Sequence, residues 1–255
     1  MKIATWNVNS LNVRMPRVLE FLDLHAPDLL LMQETKVDPD KFPDLAFAEA
    51  GYHAVHHSAG RWAGVAIAAP AATELTDVRT GLDGEPDADE ARWLEATAGT
   101  VRVITTYVPN GRAVDTPFYE GKLRFLDAAA ERVRALSAGE LVVAGDFNVC
   151  PSDLDVYDPA AFVGETHVTP AERERFQALL DAGTVDSFRE LHTDEPGFTW
   201  WDYRAGHFHK KLGLRIDAIL ASQALAGRLT ECGIDRNFRK GPKPSDHAPL
   251  IAEFQ

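Results

Sequence analysis

Two polar side chains follow a buried strand in residues 141–148, which read LVVAGDFN. Four apolar residues run without alternation, as in a strand buried on both faces, and Gly145 then leads into Asp146 and Asn148. Residues i and i+2 on an extended chain point to the same side, so both side chains can act on one ligand. They offer a proton acceptor, a neutral oxygen for a hard cation and an N–H donor for an oxyanion. GDFN alone is also typical of an ordinary turn. The ends of the other predicted strands must therefore decide between a turn and a functional site.

Further polar side chains stand at the ends of other predicted strands. They are Asn7, Glu34, Tyr107 with Asn110, Asp217 in LRIDAIL, and Asp246 with His247 in SDHAP. Sites of open α/β proteins assemble at such strand ends, so this recurrence favours a functional site over isolated turns. Asn7, Glu34 and Asp246 form an all-oxygen set that suits Mg²⁺ or Mn²⁺, and no Cys/His cluster suggests zinc.

Asp217 is an unusual carboxylate because its neighbours Leu214, Ile216 and Ile219 are apolar. A carboxylate in such surroundings needs a partner to offset a large desolvation cost. We predict that His247 is this partner, and that the pair fixes the imidazole tautomer and favours its charged form.

The elements that position these side chains follow from the apolar pattern. Strands are predicted over residues 2–9, 28–35, 52–57, 64–69, 93–98, 100–108, 141–144, 198–202, 215–221, 229–235 and 249–254, with helices over 14–25, 118–136 and 169–182. Residues 77–90 are predicted to form an exposed loop. The second half repeats the layout of the first: strand, polar loop, helix, buried strand and carboxylate. This count predicts two sheets with helices outside them.

Length and composition predict one α/β domain over residues 1–255. The longest uncharged apolar run, residues 62–72, is shorter than the roughly 20 residues that span a bilayer, and the N-terminus turns polar too soon for a signal peptide. We therefore expect a soluble, cytoplasmic protein with no membrane partner. A monomer is also expected, although no sequence feature shows the oligomeric state. Cys150 and Cys232 have no metal-like spacing and are expected to be reduced thiols.

The net charge of −13 argues against a protein that coats nucleic acid. Two basic stretches, residues 204–215 and 236–243, could still hold a polyanion at one face. Solvated loops are the alternative interpretation of these stretches.

Six motifs, in this order along the whole chain, resemble the exonuclease III family of AP endonucleases: WNVNSL, QETK, YVPNG, GDFN, LRIDAIL and SDHAP. This family belongs to the endonuclease/exonuclease/phosphatase superfamily, which is related to deoxyribonuclease I. The resemblance implies a four-layer α/β sandwich. It also implies Mg²⁺-dependent incision 5′ to abasic sites in double-stranded DNA, 3′ to 5′ exonuclease action and removal of blocking groups from 3′ ends, with Mn²⁺ as a substitute ion.

The resemblance also implies a role for each matching residue. Glu34 would be the principal metal ligand, with Asn7 and Asp246 completing the site. Asp146 would activate water, Asn148 would stabilise the transition state, Tyr107 would act on the scissile phosphate or leaving group, and Asp217 would orient His247 toward a phosphate oxygen. Two alternatives stay open: His247 as the base, and a second ion at Asp146 and Asn148.

For DNA binding, the family pattern implies a small apolar pocket for a flipped abasic sugar. We predict that Trp200, Leu214 and Ile216 line it and exclude a normal base by size, and that Asn110 also contacts DNA. No role is assigned to Arg112. The two basic stretches would contact phosphates.

Two other functions remain compatible with part of the sequence. Another phosphoesterase of the superfamily, acting on an inositol phosphate, a sphingolipid or an RNA tail, would share GDFN and SDH, whereas QETK, YVPNG and the short length favour DNA. A non-catalytic DNA-binding module is the second alternative. The acidic set around His247 speaks against it, because binding alone needs no buried acids near phosphate.

Overall fold

The computed structural model describes residues 1–255, which form twelve strands and seven α-helices. The strands are β1 (Lys2–Asn7), β2 (Leu29–Gln33), β3 (Tyr52–His57), β4 (Val65–Pro70), β5 (Leu75–Thr80), β6 (Trp93–Ala98), β7 (Val101–Tyr107), β8 (Leu141–Asp146), β9 (Thr184–Asp186), β10 (Asp217–Ser222), β11 (Leu229–Ile234) and β12 (Leu250–Phe254). The helices are α1 (Leu11–His25), α2 (Asp44–Glu49), α3 (Pro117–Leu136), α4 (Pro170–Asp181), α5 (Ser187–Leu191), α6 (His207–Lys210) and α7 (Gln223–Ala226).

The strands form two mixed six-stranded sheets with related connectivity. Their orders are β11-β12-β1-β2-β4-β3 and β5-β6-β7-β8-β10-β9. Each sheet has one parallel pair, β1 with β2 and β7 with β8, and the crossover within each pair contains a long helix, α1 or α3. The repeated layout predicted from the two halves of the sequence is therefore confirmed.

Three apolar clusters separate four layers. The largest lies between the sheets and includes Ile3 and Leu31 of the first sheet and Val142 of the second. A second cluster packs α3 and α4 on the outer face of the second sheet, and a third packs α1 and α2 on the outer face of the first. The predicted four-layer α/β sandwich is confirmed. None of its helices is both long enough and apolar enough to span a membrane, and both cysteines are free.

Two of the predicted elements were wrong. Residues 198–202 do not form a strand: Trp200 makes only single bridges to Leu214 and His247. The Trp200 N–H donates to the Leu214 carbonyl, whereas the Trp201 N–H donates to the Asp246 carbonyl. Consecutive residues therefore pair with two different segments, and no continuous ladder forms with either one. Residues 77–80, predicted as loop, belong to β5, a largely exposed edge strand with a bulge that obscures its alternation.

Gly145 sets the geometry at the end of β8. A Cβ atom there would lie 1.9 Å from the Thr106 carbonyl oxygen of β7, so only glycine allows this close approach. The register then places Asp146 opposite Tyr107 on β7 and opposite Asp217 on β10. Three of the predicted site residues are thereby brought together by strand pairing alone.

Candidate active site

A cleft of about 190 Å³ opens where the carboxyl ends of β1, β2, β7 and β8 meet. Ten of the predicted site residues line it: Glu34, Tyr107, Asn110, Asp146, Asn148, Trp200, Leu214, Ile216, Asp246 and His247. The other two, Asn7 and Asp217, lie behind this wall and hydrogen-bond to its members. His167 also lines the cleft and was not predicted.

Glu34, Asp146 and His247 form the tightest cluster, with one ligand atom from each within 4.8 Å of the others. The Asn7 amide N–H₂ donates to Glu34 Oε1 at 2.8 Å and to Asp146 Oδ2 at 2.9 Å, while Asn7 Oδ1 accepts from the Asn9 N–H at 3.0 Å. Lys36 Nζ lies 2.6 Å from the other oxygen of Glu34. In this orientation Asn7 joins the two carboxylates as a donor, and its oxygen could bind a metal only after the amide rotates.

The buried pair of Asp217 and His247 has the geometry expected from the sequence. His247 Nδ1 lies 2.8 Å from Asp217 Oδ2, and its Nε2 faces Asp146 Oδ2 at 3.7 Å. Burial opposes a charge on this ring, but Asp217, Asp146 and Asp246 together raise the pKa of His247 to about 10. At neutral pH the ring is therefore an imidazolium, which donates hydrogen bonds and cannot accept a proton.

Asp146 and Tyr107 both bind protons more tightly than usual. Burial is the largest cause that raises the pKa of Asp146; His247 opposes it, Asp217 and Glu34 reinforce it, and the result is about 7. Burial also raises the pKa of Tyr107, again reinforced by Glu34 and Asp146, so the phenol stays neutral and can donate. The Arg92 guanidinium lies over the face of the Tyr107 ring, 4.6 Å from the ring centroid, and holds the ring in place.

Asp246 also lines the cleft. Its Oδ1 accepts from Asn9 Nδ2 at 2.9 Å and its Oδ2 from Trp200 Nε1 at 3.0 Å. Burial opposes ionisation, but His247, Trp200 and Asn9 hold the pKa of Asp246 below its usual value. Asp246 is therefore ionised and tied to Trp200, which stands in the wall of the cleft with the buried residues Leu214 and Ile216.

His167 and Lys122 are the functional candidates that the sequence analysis missed. His167 has a left-handed backbone (φ 80°), and its Nδ1 lies 2.6 Å from the Asn148 carbonyl oxygen. Burial and the charge of Lys122 lower the pKa of His167 to about 4, so the ring is neutral and its Nδ1 carries the donated proton. Lys122 could have been noticed because it lies three residues after Tyr119 and four before Leu126, on the buried face of α3.

The basic stretches were interpreted partly wrongly. Arg215 is only 1% exposed and pairs with Asp155 at 2.6 Å and Asp186 at 2.8 Å, so it cannot contact a phosphate. Arg239 is also buried and donates to the Trp201 carbonyl. The lysines Lys210, Lys211, Lys240 and Lys243 are exposed and stay available for that role.

A four-layer α/β sandwich whose strand ends present clustered carboxylates, an imidazolium and a neutral phenol has the site of a phosphoesterase, and the relatives given below make this chain a phosphodiester-hydrolysing nuclease. Comparison with known proteins gives the family. The chain belongs to the endonuclease/exonuclease/phosphatase family, whose model matches residues 4–247.

Individual relatives cover the whole chain. Exodeoxyribonuclease III of Haemophilus influenzae is 34% identical over 100% of both chains. Among solved structures, the 3′ phosphatase NExo from Neisseria, bound to a product DNA hairpin, is 44% identical with a TM-score of 0.97, covering 100% of this chain and 99% of that one. An AP endonuclease from Archaeoglobus fulgidus is 40% identical with a TM-score of 0.95 and the same coverage. The resemblance to the exonuclease III family is therefore confirmed.

Proposed function

We propose that this protein is a Mg²⁺-dependent DNA repair enzyme that incises double-stranded DNA 5′ to abasic sites, degrades DNA from 3′ ends and removes blocking groups there. The observation that carries the proposal is the cluster of Glu34, Asp146 and His247 within 4.8 Å, at the bottom of a cleft with one apolar wall. Relatives named for AP endonuclease, exodeoxyribonuclease and 3′ phosphatase activities support it. We also propose that the protein acts as a monomer.

In the proposed reaction Asp146 accepts the proton of the attacking water. His247 acts as a donor rather than as the base, because its pair with Asp217 favours the charged ring although burial opposes it, whereas Asp146 is a carboxylate that a neighbouring cation keeps ionised and able to accept the proton. His247 and Asn148 donate to the non-bridging phosphate oxygens, where negative charge develops. Asp217 keeps Nε2 of His247 pointing into the cleft, and the neutral Tyr107 phenol donates to the phosphate or to the leaving oxygen.

The donor set fits a hard divalent cation. Glu34 would be its principal ligand, with Asp246 and a rotated Asn7 completing the site, and Mn²⁺ would substitute for Mg²⁺. The ion would stabilise charge on the phosphate and the leaving oxygen. We propose one ion. A second ion on Asp146 and Asn148 would occupy the oxygen that Asp146 needs as a base, so two tight Mg²⁺ sites in the DNA-bound enzyme would count against this assignment.

The apolar wall is proposed to select the substrate. Trp200, Leu214 and Ile216 would enclose a base-free sugar and leave no room for a base, and Asn110 would contact the DNA backbone beside them. Trp200→Ala should therefore reduce the preference for abasic over undamaged duplex DNA by about tenfold, with a smaller effect on 3′ ends. An unchanged preference would exclude Trp200 from the pocket.

The decisive experiment compares three 5′-labelled duplexes: one with a tetrahydrofuran abasic site, one undamaged and one with a 3′-phosphate end, each with Mg²⁺ or with EDTA. Metal-dependent incision just 5′ of the lesion, lost in Asp146→Asn, is the expected result. Activity confined to the undamaged duplex and the 3′-phosphate duplex would make the protein a 3′-end-processing enzyme, as the name of the Neisseria relative suggests. Inactivity on all three would contradict the proposal, and inositol phosphates and RNA tails would be tested next.

A further inference from the structure

A fully buried ion pair joins the helices α3 and α4 directly behind the cleft. Lys122 of α3 and Glu172 of α4 both have side chains with 0% exposure, and Lys122 Nζ donates to Glu172 Oε1. Neither side chain of the pair lines the cleft. The proposed reaction does not use either of them. The contacts of the pair, however, reach three loops that do line the cleft.

Lys122 reaches the loops that follow β7 and β8. Its Nζ donates to the Asn148 carbonyl oxygen at 2.6 Å, to Thr166 Oγ1 at 3.1 Å and to the Asn110 carbonyl oxygen at 3.3 Å. Two of these acceptors belong to residues whose side chains line the cleft, and Asn110 Nδ2 donates to Asn148 Oδ1 at 3.2 Å. One ammonium group therefore connects the backbones of Asn110 and Asn148.

Glu172 reaches the third loop, which precedes α4. Its Oε1 accepts from Thr166 Oγ1 at 2.7 Å and from the His167 N–H at 2.9 Å, and its Oε2 accepts from Thr169 as the capping box of α4. The same carboxylate therefore binds the backbone of the loop that carries His167 and caps the N-terminus of α4.

Two residues of the connected loops adopt an uncommon backbone conformation. Asn148 and His167 both have left-handed backbones, with φ of 52° and 80°. Such conformations are less favourable for residues with a side chain and persist where surrounding contacts determine them. At both positions the surrounding contacts include the Lys122–Glu172 pair, through the Asn148 carbonyl and the His167 N–H.

We infer that Lys122 and Glu172 are positioning residues, which hold Asn110, Asn148 and His167 in the arrangement that the reaction needs. The inference rests on the proposed role of Asn148 in phosphate hydrolysis. Stability alone does not account for the pair, because apolar residues of similar volume stabilise a helix interface as well as a buried ion pair does, or better. The specific gain from the charges is that they bind two backbone carbonyls and one backbone N–H of the cleft loops.

The test compares Lys122→Met, Glu172→Gln and the double variant with the wild-type chain, by thermal unfolding and by steady-state kinetics on the duplex that the wild type cleaves best. Each single variant leaves one buried charge alone and should unfold at lower temperature, whereas the double variant should recover stability because neither charge remains. We expect kcat to fall by about 100-fold in Lys122→Met and in the double variant, with KM changed by less than about threefold. A double variant that recovers both stability and kcat would overturn the inference.

Glu95→Gln is the matched control. Glu95 is also fully buried and binds Arg102 and Arg132, but it lies in the middle of β6 and does not line the cleft. It should lower the unfolding temperature and leave kcat unchanged, which separates a lost buried charge from lost positioning.

A substrate-free readout keeps this test separate from the proposed function. Nitrogen-15 NMR of the His167 ring should report a protonated, hydrogen-bonded Nδ1 in the wild type, and this signature should be lost in Lys122→Met and in the double variant. If the wild type cleaves none of the duplexes, the proposed function fails, while the ring signal still tests positioning. An unchanged His167 signal in both variants would contradict the inference.

Discussion

Asp146 and Glu95 are two buried carboxylates of the same sheet whose pKa values move in opposite directions. Glu95 accepts from Arg132 Nη2 at 2.7 Å, Arg102 Nη2 at 2.6 Å and Trp93 Nε1 at 2.8 Å. Burial opposes its ionisation, yet these three donors lower the pKa of Glu95 to about 2. Asp146 is also buried, and burial, reinforced by Asp217 and Glu34 against the opposing charge of His247, raises its pKa to about 7.

Glu95 is fully paired with cations of the protein itself, whereas the carboxylates around Asp146 are not, and they can bind a cation as a ligand. Around Glu95 two guanidinium groups more than balance one carboxylate. In and behind the cleft, four carboxylates (Glu34, Asp146, Asp217 and Asp246) meet two cations, Lys36 and His247. Carboxylates therefore outnumber cations here, a divalent cation would offset this excess, and such a cluster is typical of a catalytic site.

Asp146→Asn should have the largest effect on activity. The amide keeps the shape of the side chain but cannot accept the proton of water, so we expect kcat to fall by about 1,000-fold or more. Because the carboxylate is repelled by its neighbours, its removal should leave the unfolding temperature unchanged or higher. A variant that keeps a tenth of wild-type kcat, or that is clearly less stable in EDTA, would contradict the comparison with Glu95.

Mg²⁺ should stabilise the wild-type protein in the absence of DNA. An ion that binds only the folded chain at 100 times its Kd adds about 2.7 kcal/mol to the free energy of unfolding. The gain should be lost in Glu34→Gln. Mg²⁺ should not bind the chain unfolded in urea. Urea unfolding with Mg²⁺ or EDTA measures the gain, and an equal gain in Glu34→Gln would place the ion elsewhere.

Glu95→Gln should show the opposite pattern to Asp146→Asn. It removes charged hydrogen bonds to Arg102 and Arg132, which keep partial access to solvent, so we expect a loss of about 2–3 kcal/mol in the free energy of unfolding. The kcat of the folded protein should not change. Urea unfolding and kinetics on the same preparation check both parts, and a lowered kcat would mean that the two regions are coupled.

The sequence predicted those site residues whose role can be inferred from local pattern. Asp217 among apolar neighbours required a partner, and the ends of buried strands identified Glu34 and Asp146, because strand geometry brings such ends together. The four-layer order came from the motif resemblance, since a count of strands and helices gives two sheets but not their connectivity.

The remaining contacts depend on packing between distant segments, which local pattern does not record. A lysine on a helix is ordinarily exposed; spacing places Lys122 on the buried face of α3, but its partner Glu172 lies fifty residues later on α4. Arg215 was assigned to a basic surface because its partners Asp155 and Asp186 lie far from it in the chain. His167 is held by contacts with Asn148 and Glu172 that no spacing rule gives.

The smallest predicted effect is a pair of opposite pH dependences. Between pH 3.8, the usual pKa of this carboxyl group, and about 7, the folded chain binds a proton at Asp146 that the unfolded chain does not, so stability falls as pH rises. Glu95 acts in the other direction, because its contribution is complete above pH 4.5 and is lost as pH falls toward about 2. Coupling to His247 and Asp217 spreads the cleft titration, so we expect a gradual fall in the free energy of unfolding across pH 4–7 rather than one sharp step.

Urea unfolding in EDTA from pH 3 to pH 8 measures both slopes in the same chain. Asp146→Asn should flatten the fall between pH 4 and 7 and leave the acid side unchanged, whereas Glu95→Gln should weaken only the acid side. Mg²⁺ should act like Asp146→Asn, because a cation beside the carboxylate favours its charged form and lowers its pKa. If Asp146→Asn kept the wild-type slope, the repulsion assigned to the cleft would be absent, and the contrast between the two carboxylates would reduce to the arginines around Glu95.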